Sequence, residues 1–196
     1  MSVHTTVVDL WRPSEKTRAA LYDLALIVGG SLLLAFSAQL AVGFPVPITG
    51  QTFAVLMLAA LLGPRRGSLC VLAYIAEGAA GLPVFAQAKF GIPALLGPTG
   101  GYIIGFVPAA FLVGFLARRG WDRRIGTTVL AMVLGNLVIY AFGLLWLSVL
   151  IGPGRSVATG VLPFIPGDII KIALAAAILP AAWKFLAHFQ LADRTE

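Results

Sequence analysis

Six apolar segments, separated by short runs rich in glycine, proline and arginine, make up most of the chain. They run from about Ala20 to Val42, Thr52 to Leu62, Ser68 to Ala80, Thr99 to Ala117, Ile125 to Ile151, and Pro166 to Phe189. A helix of about 20 apolar residues is long enough to cross a bilayer. The pattern therefore predicts an all-α integral membrane protein with six transmembrane helices.

The second and third segments are short, with 11 and 13 residues between flanking glycines and prolines. They form either a re-entrant hairpin that turns at 63–67, or two crossing helices whose outer loops, 43–51 and 81–98, dip into the membrane. A re-entrant turn would place Arg65 and Arg66 inside the bilayer, which is costly, so we favour two crossings. Non-helical backbone at that depth has to be buried in protein or line a cavity. The short helices therefore predict a cavity beside these loops.

Composition and charge support this interpretation. The chain has 59% hydrophobic and 11% charged residues, and its mean hydropathy is +0.95. The net charge of +6 comes from basic clusters between apolar segments, which is typical of membrane topology signals and not of a nucleic-acid surface. With the N-terminus inside, two basic residues, Lys89 and Arg155, fall outside, and eleven fall inside. The eleven are Arg12, Lys16, Arg18, Arg65, Arg66, Arg118, Arg119, Arg123, Arg124, Lys184 and Arg194. Both termini are thus expected in the cytoplasm, and the cavity is expected to open outward.

The chain reads as one membrane domain over 1–196, with a polar cytoplasmic lead-in at about 1–19, the helical bundle at 20–189 and a cytoplasmic tail at 190–196. It contains no P-loop, no GxSxG or HExxH motif and no histidine, cysteine and carboxylate cluster with metal-ligand spacing. We therefore expect no catalytic residue, no metal and no cofactor, and a binding protein for transport in preference to an enzyme.

Two polar pairs lie in the apolar segments on the expected outer side. Asp168 and Lys171 are three residues apart and Asn136 and Tyr140 are four apart, so each pair shares one helix face. Charge at such depth marks a functional site by default. Further polar and aromatic residues on this side are Thr49, Gln51, Thr52, Glu77, Lys89, Phe85, Phe90, Tyr102 and Phe106. Together they predict a pocket for a small ligand with polar and apolar parts.

Each polar residue also has a structural explanation. Asp168 and Lys171 would neutralise one another inside the bundle, although a buried ion pair is a poor source of stability. Asn136 would hydrogen-bond across helices, and Lys89 would be a solvated loop charge. The residues alone leave these alternatives open.

Five motifs resemble one known family, the BioY family of biotin-specific substrate-binding subunits, or S components, of energy-coupling factor (ECF) transporters. They occur in family order and are PVPITGQT at 45–52, LGPRRG at 62–67, EGAAGLPVFA at 77–86, LLGPTGGYIIGF at 95–106 and PFIPGDIIK at 163–171. The resemblance implies a six-helix S component in the bacterial inner membrane that captures biotin outside and releases it inside. It also implies partners, a transmembrane coupling protein and two cytoplasmic ATPases that hydrolyse ATP.

The resemblance assigns roles to the polar residues. Asp168 would accept hydrogen bonds from the ureido N–H groups of biotin, and Asn136 or Lys171 would donate to the ureido oxygen. Lys89 and the glycines of 97–101, Gly100 among them, would hold the carboxylate, unless Lys171 holds it with the ring inverted. The other expected contacts are Thr49, Gln51, Phe85, Tyr102 and Tyr140.

Coupling to the partner subunits is expected at small residues of the first helix that allow close helix approach, namely Ala25 with Gly29, or Ser31 with Ala35. Two alternatives to biotin transport remain at this point. One is an S component for a different vitamin or small molecule, and the less favoured one is an intramembrane enzyme.

Overall fold

A computed structural model of the chain describes residues 5–43 and 46–192, with side chains as far as His188. Pro45, the tail at 193–196 with Arg194, and the start of the lead-in lie outside the described residues. The α-helices are α1 (Lys16–Gln39), α2 (Gln51–Ala79), α3 (Gly91–Leu95), α4 (Gly100–Arg118), α5 (Ile125–Ile151), α6 (Pro153–Gly160) and α7 (Ile165–Ala192). Three 3-10 helices span Val7–Trp11, Ala86–Ala88 and Trp121–Arg123. By length and composition, α1, α2, α4, α5 and α7 are able to cross a membrane. The regular structure of the described residues is therefore helical apart from one short hairpin.

That hairpin follows α1. Strands β1 (Ala41–Val42) and β2 (Ile48–Thr49) pair antiparallel, with Ala41 opposite Thr49 and Val42 opposite Ile48. The sequence analysis predicted a loop here but no strands, and it also did not predict the short helices α3 and α6.

Helix α2 is broken at Gly63 and folds back on itself. Gly63 has φ 84° and ψ 178°, a conformation that only glycine adopts readily. Gln51 Nε2 donates to the Tyr74 hydroxyl at 2.7 Å, whereas 23 residues of straight helix would separate them by about 34 Å. A side chain at Gly67 would meet the backbone of Ala59 at 2.8 Å, so glycine also lets the two arms touch. The two short predicted helices are the two arms of α2.

The two arms run alongside α1. Arg66, just after the break, forms an ion pair with Asp23 near the start of α1 at 2.8 Å. Gly50, just before the first arm, donates its N–H to the Leu40 carbonyl after the end of α1 at 3.2 Å. We call the end of the molecule with Gly63–Arg66 the turn end, and the end with the β1–β2 hairpin the loop end.

Helix α4 lies at the centre of the bundle, between α2 and α5. Added side chains at Gly114 and Gly105 would come within 2.5 Å of the Gly63 carbonyl carbon and 2.9 Å of Phe142, respectively. These glycines allow close helix packing. The apolar 18-residue stretch of α4 is 67% buried, compared with 22% for that of α1 and 28% for that of α7. Helices α1 and α7 therefore present most of their apolar surface outward, as expected of helices that face lipid.

Candidate functional site

A cavity opens at the loop end between the β1–β2 hairpin, the start of α2, the 85–99 segment, α4 and α5. The space between its lining atoms is about 620 Å³, including the part open to solvent. The lining residues are Val46, Pro47, Thr49, Gln51, Thr52, Phe85, Ala86, Lys89, Ala94, Thr99, Tyr102, Ile103, Phe106, Ile139, Tyr140 and Phe164. Aromatic walls with a few polar groups suit a small ligand that is partly apolar.

Aromatic side chains are held rigidly in this cavity. The Tyr102 ring stacks on Phe164 with centroids 6.3 Å apart, and its hydroxyl donates to the Gly160 carbonyl at 2.9 Å. Phe85 packs edge-on against Tyr74 at 5.4 Å. Because each ring is fixed by a neighbour, the walls are largely preformed.

A charged cluster lies directly behind one wall. Lys171 Nζ donates to the Thr49 carbonyl and to Thr52 Oγ1, both at 2.8 Å, and to Asp168 Oδ1 at 3.4 Å. The Tyr140 hydroxyl donates to Asp168 Oδ2 through a short hydrogen bond. Asp168 is only 6% exposed. The cluster joins α7 to α5 and to the hairpin, and Thr49, Thr52 and Tyr140 connect it to the cavity surface.

The structure separates the predicted contacts into two groups. Six residues expected to contact ligand line the cavity: Thr49, Gln51, Phe85, Lys89, Tyr102 and Tyr140. Asp168 and Lys171 lie behind its wall. Asn136, one turn before Tyr140 on α5, borders two separate voids, one beside Lys171 and one beside Asp168. Gly100 packs against Leu95 and Trp146 at the start of α4, and it is near but not among the lining residues.

Gln39, at the end of α1, is a residue that the sequence analysis missed. Its Nε2 donates to the Phe85 carbonyl at 3.2 Å, and its Oε1 accepts from the Ala88 N–H at 3.0 Å. Gln87 and Ala88 both have positive φ, 62° and 56°, which is uncommon for residues other than glycine. Gln39 therefore holds the cavity wall formed by Phe85–Lys89. An isolated glutamine at the end of an apolar segment is the only signal for this role in the sequence.

The small residues of α1 point to different sides. Ala25 and Gly29 lie on the exposed face, and an added side chain at Gly29 would meet nothing within 4 Å. Ser31 is buried and donates to Glu77 Oε1 on the second arm of α2 at 2.7 Å, and Ala35 is partly buried. The exposed pair is thus accessible to another helix, whereas Ser31 already contacts α2.

A second charged cluster occupies the turn end. Arg66 pairs with Asp9 at 2.7 Å and with Asp23 at 2.8 Å, and Arg12 pairs with Asp23 at 2.9 Å. Desolvation alone would raise the pKa of Asp9, but hydrogen bonds from Thr6 and Arg66 outweigh it and hold that pKa below its usual value. This cluster ties the lead-in to α1 and to the turn of α2.

Comparison with known proteins finds similarity over most of the chain. A family model described as the BioY family matches residues 12–188. A protein of Pyrococcus horikoshii named "Probable biotin transporter BioY" is 42% identical over 157 residues, covering 80% of this chain and 93% of the relative. "Biotin transporter BioY" of Rhizobium etli is 37% identical over 163 residues, covering 79% and 85%. The protein of the same name from Thermotoga maritima is 36% identical over 162 residues, covering 82% and 90%.

A solved structure agrees with these sequence matches. The crystal structure of the S-component for biotin from an ECF-type ABC transporter superposes with a TM-score of 0.74 and 29% identity, covering 87% of this chain and 95% of that one. The family match over residues 12–188 includes every lining residue of the loop-end cavity. On the family match and these relatives, the chain belongs to the BioY family.

Proposed function

We propose that this multi-pass membrane protein binds biotin in the loop-end cavity and acts as the substrate-binding S component of an ECF-type transporter. The observation that carries the proposal is the cavity itself, with aromatic walls beside the Asp168–Lys171 cluster, in a chain whose fold matches a biotin S component. The relatives bear the names of transporters, so the proposed activity is transport and not catalysis.

The chemistry of biotin fits the two sides of the cavity. Its ureido ring carries two N–H donors and one carbonyl, its thiophane ring and chain are apolar, and its tail is a carboxylate. The ureido N–H groups reach Asp168 when the Tyr140 hydroxyl, which lines the cavity and bonds to Asp168, turns aside. The ureido oxygen then accepts from Asn136, because Lys171 already donates to Thr49, Thr52 and Asp168. A charge-assisted hydrogen bond in a dry pocket is stronger than a neutral one, which favours tight capture.

The hydrogen bonds of Lys171 favour one orientation of the ligand. An ammonium group has three donors, and those of Lys171 already reach the Thr49 carbonyl, Thr52 Oγ1 and Asp168. Lys89 lines the cavity directly. The carboxylate therefore binds near Lys89 and the 97–101 glycines, and the ureido ring binds near Asp168.

The proposed topology has six crossings, with both arms of α2 spanning the membrane and both termini in the cytoplasm of a bacterial cell. Contacts at Asp23 and at Leu40 show that the arms extend along most of α1, which supports two crossings over a re-entrant hairpin. The excess of basic residues at the turn end supports an orientation with the loop end outside, by the positive-inside rule. Because Ser31 is buried, Ala25 and Gly29 form the preferred surface for the transmembrane coupling protein, which acts with two ATPases.

A ligand screen by thermal unfolding tests the proposal. Purified protein in detergent is heated with biotin, thiamine, riboflavin or no ligand. Biotin at about 100 times its Kd should stabilise the fold by about 2.7 kcal/mol, and calorimetry should give one biotin per chain. Stabilisation by another vitamin but not by biotin would replace this proposal with the alternative of a different substrate.

A further inference from the structure

A second cavity lies at the turn end, between the lead-in, α1, the turn of α2 and the end of α4. Its charged lining residues are Asp9, Arg12, Asp23, Arg65, Arg66 and Arg118. Four arginines thus face two carboxylates, which leaves two positive charges in excess. The loop-end cavity, by contrast, contains one cation and no carboxylate among its lining residues.

The carboxylates of this cavity are already engaged. Asp9 accepts from Arg66, and Asp23 accepts from Arg66 and Arg12, at 2.7 to 2.9 Å. Arg65 is exposed, and no carboxylate of the described residues lies within ion-pair distance of it. The Arg65 guanidinium is therefore available to an anion from outside the chain. A guanidinium matches the oxygens of a phosphate with two parallel hydrogen bonds.

Apolar residues continue from this cavity along the surface. Ile27 and Leu69 line the cavity together with the arginines. Leu69 is 46% exposed and Leu72, almost one turn further along the second arm of α2, is 47% exposed. The site thus has a cationic head and an apolar flank, as a molecule with an anionic head and a hydrocarbon tail requires.

We infer that the turn-end cavity binds the phosphate of an anionic phospholipid, whose acyl chains lie against Leu69 and Leu72. The inference rests on the proposed function in one respect, the placement of the turn end at the cytoplasmic membrane surface. Basic pockets between membrane helices on that side are suited to anionic headgroups. Bound lipid would stabilise the contact between the lead-in and the turn of α2.

Native mass spectrometry of the full-length protein in mild detergent tests the inference. Phosphatidylglycerol and phosphatidylcholine are titrated separately, and a further arm adds inorganic phosphate to the phosphatidylglycerol complex. The variants are Arg65→Gln and Arg118→Gln. The matched control is Arg119→Gln, which also removes one positive charge. Arg119 is the neighbour of Arg118, but it stacks on Phe115 and does not line the cavity.

Wild type is expected to retain phosphatidylglycerol in preference to phosphatidylcholine. Each cavity variant should weaken that binding by about fivefold, since a basic residue near an anionic lipid contributes about 1 kcal/mol. Arg119→Gln should have a smaller effect, and Arg65→Lys should restore most of the affinity. The inference is overturned by equal retention of both lipids, by an equal loss in Arg119→Gln, or by displacement of the lipid by equimolar inorganic phosphate.

Biotin binding is measured on the same samples. Unchanged biotin affinity in Arg65→Gln and Arg118→Gln shows that the variants are folded, so that loss of lipid is assigned to the cavity. A wild-type protein that retains phosphatidylglycerol but binds no biotin would overturn the proposed function and leave the lipid site supported.

Discussion

The loop end and the turn end both pair carboxylates with basic side chains, but the surroundings of the pairs differ. Asp168 and Lys171 are enclosed by α2, α5 and α7, with side-chain exposures of 8% and 18%. In the turn-end pair of Arg12 and Asp23 these values are 42% and 26%. Removing one partner of an enclosed pair leaves an uncompensated charge at low dielectric, whereas solvent screens an exposed pair. The same chemistry therefore suits the proposed ligand binding at one end and helix attachment at the other.

The largest difference in biotin affinity should come from neutralising one acid at each end. Asp168→Asn keeps the size of the side chain but leaves Lys171 without its counter-charge, and biotin loses its charged acceptor. Biotin binding should weaken by about 2 to 5 kcal/mol in isothermal titration calorimetry. The control Asp23→Asn should leave Kd unchanged. Wild-type affinity in Asp168→Asn would refute the assignment of Asp168 as the acceptor of the ureido N–H groups.

A smaller effect on biotin binding is expected from mutation at the end of α1, where it meets the cavity wall. Gln39→Leu removes the acceptor of the Ala88 N–H and the donor to the Phe85 carbonyl, so the Phe85–Lys89 segment should open more often. We expect biotin to dissociate about tenfold faster with a smaller change in association rate, measured by release of labelled biotin. Ser37→Ala is the control, because its hydroxyl bonds only to the Leu34 carbonyl of its own helix. Equal dissociation rates in the two variants would exclude a holding role for Gln39.

At the turn end, mutation should affect stability and not binding. Arg66→Gln removes the ion pairs with Asp9 and Asp23, and should destabilise the ligand-free protein by about 1 to 3 kcal/mol, seen as a lower Tm. Arg18→Gln breaks a pair with Glu15 in which Arg18 is 76% exposed, and should leave Tm unchanged. Altered biotin affinity in Arg66→Gln would mean that the two ends are coupled.

The smallest effect is expected in the pH dependence of Asp122, on the loop between α4 and α5. Burial raises the pKa of this carboxyl, although Trp183 Nε1 donates to it at 2.5 Å. Folding thus favours the protonated acid, and this contribution is present below the unfolded pKa and lost as pH rises through the folded pKa. Asp122→Asn should gain Tm relative to wild type between pH 4 and pH 7. The pKa of the Asp9 carboxyl is lowered, so its charged form stabilises the fold. In the control Asp9→Asn, Tm should therefore lie below that of wild type throughout this range.

Local patterns in the sequence account for much of the fold. The apolar segments locate α1, α4, α5 and α7, because a long apolar run is most stable as a helix in lipid. The break at 63–67 was predicted from glycine and proline, and the positive φ of Gly63 is its cause. The β1–β2 hairpin and α6 were not predicted, since short elements depend on contacts with distant residues and carry little periodicity.

The candidate site was less predictable than the helices. Spacing placed Asp168 with Lys171 and Asn136 with Tyr140 on shared faces, but it did not show which of them reach the cavity. Gln39 had no assigned role, because its partners Phe85 and Ala88 lie 46 and 49 residues away. Phe164 belonged to a recognised motif, but its stacking on Tyr102 depends on how the segment 160–164 approaches α4.

The linear pattern was enough to identify a membrane protein, its apolar helices and its membership in a family. These properties depend on composition and on neighbours within one or two helical turns. It is the packing of the helices that brings Lys171 to Thr49, 122 residues away, and Tyr140 to Asp168, 28 residues away. The folding back of α2 and the packing of α5 against α7 bring these atoms together, and no local pattern encodes such distances.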